Sequence, residues 1–194
     1  MTRPDLADRR DVDEVYGPAE DSELLASVAA ERVRADQRVL DVGTGSGFVA
    51  ARVAEIGATV VGVDVSPLAC RRARENGVDV VRGDLVAPFR DDAFDVVLFN
   101  PPYLPTPGDE GWGDWMDLAL SGGETGRAVI DPFLETVGRV LAPGGTVYLL
   151  VSTLTGVDEV RDRAMAAGLE GAPVGESSHP FEKLLVLALT RTDD

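Results

Sequence analysis

Cysteine, lysine and histidine each occur once in this chain of 194 residues, as Cys70, Lys183 and His179. A lone thiol excludes an internal disulfide and any Cys-rich zinc site within the chain, and leaves Cys70 as a small helix residue facing the core. No apolar run approaches the roughly 20 residues of a membrane span, and the opening residues Met1 to Asp5 carry no apolar signal-peptide core. The sequence therefore predicts a protein that stays in the cytoplasm and meets no membrane. Basic charge is scarce as well: 34 acidic residues face 18 basic ones, for a net charge of −16. Such a surface repels phosphate backbones, so no stable nucleic-acid binding is expected, and Arg71-Arg72-Ala73-Arg74 is the densest basic cluster. Acids spread along the chain with almost no lysine also fit a halophilic protein, whose self-repulsion is screened by a high-salt cytosol.

What is present is an alternation of short apolar strands with helical segments, the signature of an α/β fold. The length fits one domain over residues 1–194, with 1–36 as a polar lead-in and capping helix and 37–194 as a catalytic core. Asp21 or Ser22 is placed to cap a first helix that carries Leu24, Leu25, Val28, Ala29 and Val33 at helical spacing. Strands are predicted at Arg38 to Val42, Ala58 to Val63, Asp79 to Arg82, Phe94 to Phe99, Thr146 to Val151, Leu169 to Val174 and Leu184 to Leu189. Helices are predicted from Phe48 to Ile56, Ser66 to Asn76, Ile130 to Leu141 and Val157 to Ala167. His179, beside Pro180, reads as a solvated turn residue rather than a catalyst.

Two constellations carry chemistry. After the first strand, Gly43-Thr44-Gly45-Ser46-Gly47 turns the chain into a helix, and glycines there let backbone N–H groups approach a ligand closely. The second strand ends on Asp64, placed to accept hydrogen bonds from ribose hydroxyls, and Asp84-Leu85 follow the third strand in the same way. The dinucleotide fingerprint is not met, because its sixth position falls on Phe48, and Asp41 at the bottom of the crevice repels a pyrophosphate while suiting an amine cation. A ligand with ribose, adenine and a positive amino-acid tail answers all three carboxylates. S-adenosyl-L-methionine is such a ligand.

The second constellation is Asn100-Pro101-Pro102-Tyr103, at the end of the apolar run Phe94 to Phe99. Two prolines fix φ near −65° in succession and push Asn100 toward an extended backbone, so the Asn side chain and the neighbouring carbonyls are aimed. An aimed amide oxygen beside a free main-chain oxygen accepts both N–H bonds of one planar NH2 group, and Tyr103 offers a flat face to lie against it. A proline-rich loop that merely ends a strand is the plainer reading of the same residues. The following loop to about Gly123 holds Trp112 and Trp115, either a substrate lip or a cover for the core edge.

Together these motifs make the chain resemble a class I S-adenosylmethionine-dependent methyltransferase with an amino-group target. The resemblance implies a Rossmann-like, mostly parallel seven-stranded sheet with helices on both faces and an antiparallel final strand. N6-adenine DNA methyltransferases share the Asn100 to Tyr103 tip, and a non-catalytic scaffold on this fold is a further alternative. Pro18-Ala19-Glu20-Asp21-Ser22, together with Ser121-Gly122-Gly123, Gly126-Arg127 and Asp131, is similar to the short HemK-type protein glutamine methyltransferases of archaea and eukaryotes, which modify class I translation release factors. That resemblance implies that Asp41 and Gly43 hold the methionyl part of the cofactor, Asp64 the ribose, and Asp84 and Leu85 the adenine, with Ser22 closing the site. It implies that Asn100 and Pro101 accept from a glutamine amide while Tyr103 packs on its plane, with no metal. It also implies a heterodimer with a small zinc-binding activator subunit, for which the third strand, expected at a sheet edge, offers Val80 and Val81.

Overall fold

The computed structural model describes residues 20–106 and 120–192. Seven strands form one sheet in the order β3-β2-β1-β4-β5-β7-β6: β1 Arg38–Val42, β2 Thr59–Asp64, β3 Val80–Arg82, β4 Phe94–Phe99, β5 Leu141–Ser152, β6 Leu169–Ser178 and β7 Lys183–Arg191. Neighbours from β3 to β5 pair in parallel, whereas β7 runs antiparallel to both β5 and β6. The mostly parallel seven-stranded sheet with an antiparallel final strand is thus the observed one.

Side-chain alternation along β1 and β4 sorts the core into two layers. Leu40, Val42, Val97 and Phe99 point to one face, where helices α4 Ile130–Val140 and α5 Val157–Ala166 bury Phe133, Leu134 and Val160. Val39, Val96 and Leu98 point to the other, against α1 Glu20–Arg32 and α2 Phe48–Ala54. Helix α3 Pro67–Glu75 joins that second layer through Ala73, which packs with Ala50 and Val78. The same alternation sends Asp41 and Asn100 to the α1 face, and this parity brings the two together. The chain leaves β1 toward β2 and β3 on one side and returns as β4 on the other, so a crevice opens beyond the carboxyl ends of β1 and β4.

Several boundaries differ from those predicted. Asp21 and Ser22 lie inside α1, which already includes Glu20. Strand β5 begins at Leu141, which pairs with Phe94 before a register shift carries the chain through Pro143-Gly144-Gly145 to the regular ladder at Thr146. Strand β6 continues to Ser178 because pairing with β7 sustains it across a bulge at Pro173 and Gly175, where its own residues show no alternation. His179 is not a freely solvated turn residue: its ring meets the Glu20 carboxylate at 2.8 Å and the Ser177 hydroxyl at 3.0 Å, tying the hairpin tip to α1. Cys70 is buried in α3 as expected. Trp112 and Trp115 lie outside the described residues. Among the described residues no helix is long and apolar enough to cross a membrane.

Candidate active site

The crevice is a cavity of about 570 Å³. Its walls include Asp41, Gly43 and Gly45 from β1 and its turn, Asp64 from the end of β2, Asp84 and Leu85 after β3, Asn100 to Tyr103 after β4, and Ser22 from α1. Gly47 is not among the lining residues. It adopts φ +81°, and a Cβ there would come within 2.9 Å of Val78 and 3.3 Å of Ala73, so glycine lets α2 start close against α3.

Asp41 is buried at 2 % exposure, and burial pushes its carboxyl up to about 7. The Thr44 hydroxyl, 2.7 Å from its Oδ2, and the Ala50 N–H work against that rise, while the nearby Asp64 charge adds to it. A carboxylate so short of solvent stabilises a cation beside it. Asp64 is also raised by burial, offset by N–H groups of Ser66 and Gly45 at 2.8 and 3.0 Å. These two donors fix the orientation of both carboxylate oxygens, and each oxygen keeps a lone pair for a further donor such as a hydroxyl. Leu85 takes a left-handed φ of 45°, a conformation that non-glycine residues seldom adopt and that recurs in ligand-binding turns.

At the tip after β4, Pro101 is buried and Asn100, Pro102 and Tyr103 are half-buried. The Asn100 Nδ2 donates to the Ser22 hydroxyl at 3.3 Å, and its Oδ1 is buried with no hydrogen-bond partner among the described residues. An unpartnered buried acceptor costs about 1–3 kcal/mol, which a donor brought in by a ligand would recover. The tip is braced from behind. Leu104 N–H donates to Leu120 O and Gly122 N–H to Leu104 O, at 3.0 and 2.9 Å, closing the base of the long loop. Gly126 sits at φ +73°, where a Cβ would stand 2.6 Å from the Tyr103 carbonyl oxygen. Gly126→Ala is therefore expected to displace Tyr103 and lower activity at least tenfold while costing roughly 1–3 kcal/mol of stability. Steady-state assays beside a thermal melt check it, and wild-type turnover would contradict the brace.

Sequence reasoning missed Thr44 as the partner of Asp41, although its place three residues on in the turn was a usable signal. It assigned Asp21 only a capping role, yet Asp21 lines the cavity at 5 % exposure. Leu120 and Val129 also line it, beside the Ser121-Gly122-Gly123 and Gly126-Arg127 segments, although the sequence singles out neither.

The residues fit an adenosyl ligand with a cationic amino-acid tail: a buried carboxylate for the ammonium, a strand-end carboxylate for hydroxyls, and glycines at positive φ between them. Comparison with known proteins agrees. Residues 40–101 match the methyltransferase domain family. A Methanocaldococcus jannaschii protein named as a protein N5-glutamine methyltransferase is 37% identical over 181 residues, with 90% of each chain covered. Methyltransferase HEMK2 of Homo sapiens is 34% identical, covering 92% of this chain and 91% of its own. Among solved structures, the E. cuniculi Mtq2-Trm112 complex, described as responsible for methylation of the eRF1 translation termination factor, matches with a TM-score of 0.76 at 29% identity, over 92% of this chain and 99% of that one. A methyltransferase sheet, a cavity suited to S-adenosylmethionine and relatives alike over nearly their full length lead to one conclusion: the chain belongs to the HemK-type family of S-adenosylmethionine-dependent protein glutamine methyltransferases.

Proposed function

We propose that this protein methylates the side-chain N5 of a glutamine in a class I translation release factor, within the cytoplasm, as the catalytic subunit of a heterodimer. The observation that carries this reading is the buried, unpartnered Oδ1 of Asn100, a residue of the cavity wall. S-adenosylmethionine supplies an electrophilic methyl group on a positively charged sulfur. Asp41 and Gly43 hold its amino-acid end, Asp64 its ribose, Asp84 and Leu85 its adenine. Asn100 Oδ1 and the Pro101 carbonyl accept the two N–H bonds of the glutamine amide, and Tyr103 lies on its plane. An amide nitrogen is a poor nucleophile because its lone pair is delocalised into the carbonyl. Two fixed acceptors raise electron density on that nitrogen and aim its lone pair, an effect of positioning and electrostatics. No general base is needed beforehand, since the methylated nitrogen sheds a proton to solvent afterwards.

The partner reading rests on the sheet edge. Among the described residues strand β3 pairs with β2 alone, and Val81 is 38 % exposed on it, which offers a sheet edge for strand addition by a small zinc-binding activator. The solved Mtq2-Trm112 complex supports a two-subunit enzyme. Expressed alone, the chain is expected to be poorly soluble or inactive and to recover on co-expression with such a subunit; a well-behaved, active monomer would remove the reason for a partner.

Transfer of a labelled methyl group to purified release factor tests the activity itself, with duplex DNA as a second acceptor. Label in the release factor, lost when the acceptor glutamine is replaced, is the expected result. Label in DNA alone would overturn the assignment.

A further inference from the structure

We propose that Ser22 is a positioning residue for Asn100, and that Asp21 holds Ser22 to this task, so that the first turn of α1 decides which end of the Asn100 amide faces the substrate. The inference deepens the reading above and rests on it for the identity of the substrate.

An asparagine amide is almost symmetric in shape, and rotation about its last bond exchanges oxygen and NH2 between two broad wells. Only the oxygen-out form grips an incoming NH2; the other form sets donor against donor. Pro101 and Pro102 stiffen the main chain beside Asn100 but do nothing to this rotation, so another group has to break the symmetry. Ser22 Oγ lies 3.3 Å from Asn100 Nδ2. A hydroxyl alone cannot decide, since it donates to an oxygen as readily as it accepts from an NH2. Asp21 removes the ambiguity. Its Oδ1 is 3.3 Å from Ser22 Oγ and takes the hydroxyl proton, while the Ser22 backbone N–H donates to the same oxygen at 2.6 Å and anchors it. With its proton directed at a carboxylate, Ser22 presents only lone pairs to Asn100.

Burial makes the bias effective. Asp21 is 5 % exposed and Ser22 9 %, so water competes weakly for these bonds and each is stronger than on the surface. The outcome is visible in Asn100 itself, whose Nδ2 is engaged and whose Oδ1 is turned away without a partner among the described residues. The order of the relay is carboxylate, hydroxyl, amide NH2, which leaves the amide oxygen as the end without a partner among the described residues. The two ends of this relay are 79 residues apart in sequence, and α1 brings them together by packing on the face to which β4 alternation sends Asn100.

The test compares Ser22→Ala, Ser22→Thr and Asp21→Ala in the full chain with its partner subunit. Three quantities are read: kcat at saturating cofactor and acceptor, the cofactor Kd by calorimetry, and the Asn100 side-chain NH2 resonances, identified by their absence in Asn100→Asp. Ser22→Ala keeps a good helix former in α1 and is expected to lower kcat about fivefold with the cofactor Kd within about threefold, because loss of the hydrogen bond frees the amide to turn and loosens its aim. The Asn100 NH2 signals should shift in the same variant, and Ser22→Thr, which keeps the hydroxyl, should restore both signals and kcat. Asp21→Ala should lower kcat in the same direction. Unchanged kcat with a weakened Kd in Ser22→Ala would make Ser22 a cofactor contact only, and unmoved Asn100 resonances would overturn the relay outright. Failure of the wild-type enzyme to label the release factor would defeat the substrate reading instead, and the NH2 resonances would still decide the relay.

Discussion

Asn100→Ala is expected to lower methyl transfer by about a thousandfold or more while leaving the cofactor Kd within about threefold of wild type, because it removes the acceptor proposed to hold the reacting amide. The Asn100 side chain reaches the cavity beside the turn at Gly43, and its Oδ1 has no other partner among the described residues. Its loss therefore leaves one N–H of the substrate amide without its protein acceptor. The remaining acceptor, the Pro101 carbonyl, is main chain and survives the change, but one acceptor orients an NH2 about an axis rather than in a plane. The expected pattern is a fall in kcat and in kcat/KM together. Calorimetry of cofactor binding beside single-turnover assays separates the alternatives: equal loss of affinity and rate would place Asn100 on the cofactor instead.

Asp41→Asn is expected to act in opposite directions on folding and on binding. The carboxyl, pushed up to about 7 by burial, titrates near 3.9 in an unfolded chain. Below that lower value both states are protonated and Asp41 costs nothing. Between the two the folded state alone keeps the proton, so stability falls as pH rises, and above about 7 the full cost, on the order of 4 kcal/mol, stands. Asparagine keeps an acceptor for the Thr44 hydroxyl and carries no charge to desolvate. The apo variant should thus melt about 5 °C or more above wild type at pH 8 and lose the advantage at pH 4. For the cofactor the same change removes the proposed counter-charge of its ammonium, and the Kd should rise about a hundredfold. In the wild type, cofactor affinity should itself strengthen about tenfold from pH 5.5 to 7 as Asp41 ionises. Melting curves across that range, with and without ligand, check both signs, and an Asp41→Asn protein with wild-type affinity would dismiss Asp41 as the ammonium site.

Much of this site is legible in the sequence because its chemistry sits at strand ends. An apolar run followed at once by a polar tip fixes both where Asn100 lies and which end of the sheet it occupies; Asp64 closes β2 and Asp84 follows β3 by the same rule, while Asp41 lies one residue inside the end of β1. The resemblance adds the cofactor and the substrate class to those positions. What sequence does not carry is the long-range approach of elements. Nothing local to Ser22 says that its hydroxyl meets Asn100, because that contact depends on α1 packing against α2 and β5. The full length of β6 was hidden for a similar reason: its residues are mostly exposed, and β7 rather than any alternation holds it in the ladder. Strand β5 starts early because pairing of Leu141 with Phe94 overrides the stop signal of Pro143-Gly144-Gly145.

A crystal structure of the enzyme with S-adenosylhomocysteine and a glutamine-containing peptide bears most directly on the account. The glutamine amide nitrogen should lie within about 3 Å of both Asn100 Oδ1 and the Pro101 carbonyl oxygen, with the cofactor sulfur facing it and the ammonium against Asp41. An adenosyl group outside the cavity between β1 and β4, or a glutamine amide turned away from Asn100, would contradict it.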